Sequence, residues 1–152
     1  MSLAFDVISA LQGKTLATAE SCTGGLIGSM LTSVSGASKV YKGGIVSYCN
    51  EIKHRFLSVK DKTLTAYGAV SGEVAMEMAE GARMGMNTDV ALSVTGLAGP
   101  QGDDFGNPVG LVYIGYSDGL KTLFRRFLFT GSRENIRQAA AEQALALVLE
   151  MQ

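Results

Sequence analysis

The chain of 152 residues is read as one domain over 1–152, and with 47% hydrophobic and 18% charged residues it can bury a real core, which excludes a disordered chain. A formal net charge of −1 argues against a nucleic-acid partner, which would call for a basic face, but leaves room for a small phosphorylated ligand. No apolar run reaches the roughly 18 residues of a membrane span and the N-terminus lacks a secretory pattern, so no membrane partner is expected and the cytoplasm is the expected location.

In chain order, residues 4–12 carry a short amphipathic helical pattern, and Gly13-Lys14 leads into a strand over 15–19. A helix is predicted over 23–32, where Leu26, Ile27, Met30 and Leu31 recur at helical spacing, followed by a loop over 33–38. Residues 40–49 are rich in Val, Ile and Tyr around Gly43-Gly44, which predicts a strand with a bulge or a close backbone approach. Asn50 is the expected cap of a helix over 51–57 with Ile52 and Phe56 on its buried face and Lys53 beside it. Ser71 caps a longer helix toward Asn87, with Glu73 in its first turn and Val74, Met78 and Ala82 as its apolar stripe.

The nearly continuous apolar run within 89–95 predicts a strand covered on both faces, followed by a glycine-rich loop. Two further strands, 109–116 and 120–129, are joined at Ser117-Asp118-Gly119, and a helix over 133–149 closes the chain. Interleaved strands and helices predict an α/β fold, a three-layer-like sandwich in which helices flank a mixed β-sheet.

Chemistry concentrates in the small-residue polar segment Thr18-Ala19-Glu20-Ser21-Cys22-Thr23-Gly24-Gly25, a turn between a strand and a helix. Amides at a helix start can hold an oxyanion or phosphate, glycines admit a ligand, and Ser21 is placed to be a nucleophile; the simpler alternative is that Ser21 or Thr23 only caps the helix. An activated Cys22 thiolate is a competing nucleophile. A serine needs a base, and the single histidine, His54, is one candidate; Lys53, nearer the buried face, is the other, with Tyr48 able to pass a proton.

The segment Thr95-Gly96-Leu97-Ala98-Gly99-Pro100-Gln101-Gly102 follows the buried strand, where open α/β sheets gather ligands, although it matches neither phosphate-loop fingerprint. Arg133 and Arg137 lie on successive turns of the last helix and suit a phosphate or carboxylate, or else a solvated face or subunit contact. Cys22, Cys49, His54, Asp103 and Asp104 show no metal-ligand spacing, so no metal is expected, and the two cysteines read as free thiols.

Together, TAESCTGG at 18–25, LTSVSGAS at 31–38, GGIVSYCNEIK at 43–53, YGAVSGEVAMEMAEGA at 67–82, VTGLAGPQG at 94–102, NPVG at 107–110 and GSRENIR at 131–137 resemble the CinA C-terminal domain family. That family is also known as the PncC type of nicotinamide mononucleotide amidase. The resemblance implies deamidation of this pyridine mononucleotide to nicotinic acid mononucleotide and ammonia, in pyridine nucleotide recycling and without a cofactor.

It further implies Ser21 as nucleophile, Lys53 as general base and Tyr48 as proton-relay or orienting partner. The expected ligand-contacting set is Glu20, Thr23, Gly24, Gly25, Thr95, Gly96, Gly99, Arg133 and Arg137. A homo-oligomer is expected as well. The alternative is a noncatalytic nucleotide-binding or assembly module of the same fold. Four positions depart from the family pattern: Ser35 stands where proline is frequent, Asp103 where a second glycine is common, Asn107 where lysine usually precedes Pro-Val-Gly, and Ser132 where an acidic residue is frequent.

Overall fold

A computed structural model describes residues 2–152. It contains six α-helices and five strands among the described residues: α1 Leu3–Ala10, β1 Leu16–Glu20, α2 Leu26–Thr32, β2 Tyr41–Val46, α3 Asn50–Leu57, α4 Asp61–Tyr67, α5 Gly72–Met86, β3 Val90–Gly96, β4 Leu111–Asp118, β5 Thr122–Leu128 and α6 Arg133–Glu150. A short 3₁₀ turn, Ala37–Lys39, occupies part of the expected 33–38 loop.

The strands form one mixed sheet in the order β2-β1-β3-β4-β5. β1 runs parallel to β2 and β3, and β4 and β5 follow antiparallel. The expected bulge falls at Lys42, where the β1–β2 register slips between Leu16–Tyr41 and Ala17–Gly43. The close approach is at Gly44, where a Cβ would collide with the Thr18 and Tyr41 hydroxyls.

Strand side chains alternate between two faces. Leu16, Val90, Leu92 and Val94 pack with α1, α2 and α6, whereas Ala17, Ala19 and Ala91 pack with α3, α4 and α5. The small residues on the second face let α5 lie close to the sheet: the Ser93 hydroxyl donates to the Ala75 carbonyl at 2.5 Å. The result is the expected three-layer α/β sandwich. No helix among the described residues is long and apolar enough to cross a membrane.

Several boundaries differ from expectation. Glu20 belongs to β1, and α2 starts at Leu26 because Gly24 and Gly25 adopt positive φ (58° and 103°) in a turn that precedes it. Cys49, not Asn50, sits at the cap position of α3 and makes no side-chain capping bond. The buried face of α3 is Lys53 and Leu57; Phe56 is 57% exposed. The β4–β5 turn lies later than expected, with the Asp118 amide donating to Lys121 O and the Asp118 carboxylate accepting from Leu120 and Lys121.

The helix α4 carries no apolar stripe that sequence could reveal, since only Thr63 and Leu64 of it are buried. Its start is capped from a distance, by Glu77 of α5, which accepts from the Lys60 amide and the Thr63 hydroxyl at 2.8 Å each. By contrast, Ser71 caps α5 as expected, accepting from the Val74 amide, and Ser132 and Asn135 form a reciprocal capping box on α6.

Candidate active site

The parity of β1 sorts its last residues. Leu16, Thr18 and Glu20 face the α2 side, so Ser21, one position on, emerges toward α3 and α5. Its amide donates to Val94 O at 3.0 Å, which fixes the end of β1 beside β3. From the other edge, the Ser47 amide donates to Glu20 O at 2.7 Å and aligns the segment leading into α3.

Lys53, one turn into α3, thereby reaches the hydroxyl. Its Nζ lies 3.0 Å from Ser21 Oγ and donates to Ser47 O at 2.9 Å. Lys53 is 2% exposed and Ser21 is 8% exposed. Among the described residues no carboxylate pairs with this amine in a salt bridge. Burial therefore dominates and lowers its pKa from the ordinary 10.5, the nearby cysteine thiols acting weakly in the opposite direction. A neutral amine at this distance can accept the Ser21 proton.

The other candidates are separated from this pair. His54 turns its Nδ1 to Val59 O at 2.7 Å and toward Asp61, so a serine–histidine arrangement is absent here. Cys22 is buried, and burial pushes its thiol up to about 11, which opposes a thiolate nucleophile. Both cysteines are free thiols. No group of three or more His, Cys, Asp and Glu among the described residues is arranged to hold a metal ion.

Ser21 and Lys53 open into a cleft of about 490 Å³ beyond the C-terminal ends of β1 and β3. Of the expected ligand contacts, Thr95, Gly96, Gly99 and Arg133 line it, as does Tyr48. The Thr95 hydroxyl is already engaged, donating to Ala69 O at 2.7 Å. Arg133 bridges the mouth, donating to Gly99 O at 2.6 Å and to the Tyr48 hydroxyl at 2.9 Å. Tyr48 is 62% exposed and makes no hydrogen bond to Ser21 or Lys53, so this arrangement puts it in the cleft wall and does not place it on a proton path.

Glu20, Thr23, Gly24, Gly25 and Arg137 do not line the cleft. The Glu20 carboxylate accepts from the amides of Gly25 (3.2 Å), Ile27 (2.9 Å) and Gly28 (3.0 Å), occupying the helix start that the sequence offered to an anion. Arg137 donates from Nε to Cys22 O at 3.0 Å and from a terminal nitrogen to Thr23 O at 2.9 Å. Thr23 is fully buried and its hydroxyl has no partner among the described residues.

Sequence reasoning gave no site role to the apolar wall of the cleft, Ala69, Val70 and Phe105. Ala69 and Val70 join α4 to α5, and the unrecognised α4 hid their position; Gly68 before them has φ +79° and lets the Phe105 ring lie against it. Two of the departures from the family pattern form one unit beside this wall. The Asp103 carboxylate accepts from the amides of Phe105 (3.1 Å) and Asn107 (3.0 Å) and from the Asn107 side chain (2.8 Å). Burial opposes its charge, but these bonds prevail and hold the carboxyl below its ordinary pKa.

Fold and site define an α/β sandwich protein with a serine–lysine pair in a cleft at the ends of its parallel strands. A family model described as the CinA C-terminal domain matches residues 2–152, and the chain belongs to that family. It is 52% identical over 136 residues to a CinA-like protein of Syntrophomonas wolfei, covering 90% of this chain and 33% of that protein. It is 49% identical over 144 residues to a putative competence-damage inducible protein of Caldanaerobacter subterraneus, covering 93% and 35%. The chain thus spans about a third of the length of these relatives.

Among solved structures, the competence/damage inducible protein CihA of Agrobacterium tumefaciens superposes with a TM-score of 0.94 at 38% identity, covering 98% of this chain and 93% of that one. The competence damage-inducible protein A of Klebsiella pneumoniae gives 0.95 at 35% identity, with 97% and 93% covered.

Proposed function

We propose that the chain is an amidohydrolase that converts nicotinamide mononucleotide to nicotinic acid mononucleotide and ammonia. The observation that carries the proposal is the 3.0 Å approach of a buried amine with a lowered pKa to the Ser21 hydroxyl, inside a cleft large enough for a mononucleotide.

Ser21 Oγ attacks the carboxamide carbon while Lys53 takes the hydroxyl proton. As the tetrahedral species collapses, the C–N bond breaks and Lys53 returns that proton to the leaving nitrogen, releasing ammonia and an ester on Ser21. Water then attacks the ester with Lys53 as base, the acid is released, and the proton restores the Ser21 hydroxyl.

The cleft walls suit such a substrate. Ala69, Val70 and Phe105 form an apolar side for a pyridinium ring, and the Arg133 guanidinium stands at the mouth, where it can exchange its bonds to Tyr48 and Gly99 for a phosphate. Tyr48 acts here by orienting Arg133. No cofactor is required by these steps.

Incubating the protein with nicotinamide mononucleotide and measuring ammonia tests the proposal. Turnover supports it. A ligand-induced rise in melting temperature with no ammonia at any substrate concentration would instead identify a binding module.

A further inference from the structure

The cleft wall carries one aromatic ring that no core explains. Phe105 lines the cleft, is 53% exposed and pairs with no other aromatic ring among the described residues. Its backbone is nevertheless fixed. The Asp103 carboxylate accepts from the Phe105 amide at 3.1 Å and from the Asn107 amide at 3.0 Å, and Gly106 between them turns the chain at φ +74°. A phenyl group that is held in place yet left in water is a preformed contact surface, since its ordering cost is already met and its apolar area is still to be covered.

Gly68 shows which part of the ring is free. A Cβ added there would lie 2.8 Å from Cδ1 and Cε1 of Phe105 and 3.1 Å from Cγ. Near-equal distances to three consecutive ring atoms describe a point above the ring and not one in its plane, so the Gly68 backbone covers one face. The opposite face and the rim are left to account for the exposure.

A phenyl face carries the negative part of the ring quadrupole, so it holds a flat cation better than a neutral ring of the same shape. The adjoining chain adds charge of the same sign: Asp103 and Asp104 line the cleft, and although burial opposes its charge the Asp103 carboxyl is held below its ordinary pKa by its hydrogen bonds. Arg133, the guanidinium of the mouth, is engaged elsewhere, by Gly99 O and Tyr48.

We infer that Phe105 is a specificity-determining residue of this cleft: the free face of its ring stacks on the heteroaromatic ring of the substrate and selects a positively charged pyridinium over a neutral ring of equal size. The inference rests on the proposed reading of the cleft as a nicotinamide mononucleotide site, and it adds that ring charge, not ring shape alone, is what is recognised.

The experiment measures the affinity of the Ser21→Ala protein, which cannot turn substrate over, for nicotinamide mononucleotide and for benzamide riboside 5′-monophosphate, whose ring is neutral. The pyridinium ligand is expected to bind about fivefold more tightly, the scale of a partly exposed cation–π contact. Adding Phe105→Leu should weaken the pyridinium ligand and bring the ratio below about twofold, whereas Phe105→Tyr and Asp103→Asn, the latter keeping an oxygen for both amides, should preserve it. In the otherwise unaltered chain, Phe105→Leu should raise KM about fivefold with kcat within about threefold.

A preference that survives Phe105→Leu, or one lost in Asp103→Asn but kept in Phe105→Leu, overturns the inference and assigns selection to the carboxylates. Equal affinity for the two ligands overturns it as well. Ammonia release from nicotinamide mononucleotide by wild type is followed separately: release with no charge preference removes the role of Phe105 and leaves the amidase, preference without release keeps Phe105 and removes the amidase, and absence of both binding and release removes both.

Discussion

The turn after β1 and the segment from Gly99 to Asn107 both border the cleft, yet they are held in different ways. The first is gripped from outside itself: Glu20 takes its following amides, Arg137 takes its carbonyls, and Val94 and Lys53 hold Ser21. The second is tied largely to itself, by Asp103 bonded to Phe105 and Asn107, with Arg133 on Gly99 O as an outside tether. A catalytic group needs its geometry fixed by elements that cannot yield, whereas a substrate-facing loop can change its residues as long as its internal bonds change together. The paired departures at Asp103 and Asn107 illustrate the second case.

The contrast can be broken most forcefully at Lys53. Replacing it (Lys53→Met) should reduce kcat by about 10²–10³-fold while the fold survives, because the side chain that replaces it is apolar and of similar length. Wild-type kcat should rise with pH as the amine loses its proton, with a midpoint below 10.5. Stability follows the same group. A buried ammonium with a lowered pKa disfavours the folded state at neutral pH, and that penalty fades as pH climbs from the folded pKa toward 10.5, where the unfolded chain also loses its proton. Urea unfolding of Lys53→Met and wild type should therefore show the variant's relative stability declining with pH over that window.

A smaller effect is expected at Glu20. Glu20→Gln leaves three amides with a weaker, uncharged acceptor and should lower unfolding free energy by roughly 1–3 kcal/mol, read from denaturant midpoints at constant slope. Smallest of all is the loop. Asp103→Ala should change stability by less than about 0.5 kcal/mol and raise KM a few-fold, since it frees an exposed turn and the Phe105 beside it. An Asp103→Ala loss of kcat as large as that of Lys53→Met would erase the distinction between the two regions.

How much of this was legible in the sequence depends on whether the partner was local. Ser71 capping α5 and the apolar β3 are local patterns and were read directly. Ser21 and Lys53 were singled out by chemistry, with His54 left open as an alternative base. What sequence alone could not supply was the register of α3, which buries Lys53 with Leu57 and leaves Phe56 exposed.

Glu20 and Arg137 show the remaining gap. Ending β1 at Ala19, one residue short, leaves Glu20 outside the strand, where it reads as a ligand contact; the parity of Leu16, Thr18 and Glu20 turns it to α2 instead. Arg137 lies 115 positions from the Cys22 carbonyl it holds, and no spacing rule announces such a bond. Helix α4 is illegible in the sequence for the same reason, its cap being Glu77 on another helix.

The most direct test measures ammonia release from nicotinamide mononucleotide by Ser21→Ala and Cys22→Ala beside wild type. With Cys22 buried and its thiol held near 11, Cys22→Ala should keep activity within a few-fold, while Ser21→Ala should lose at least about 10³-fold. Equal activity in the two variants would contradict a mechanism built on the Ser21 hydroxyl and the Lys53 amine.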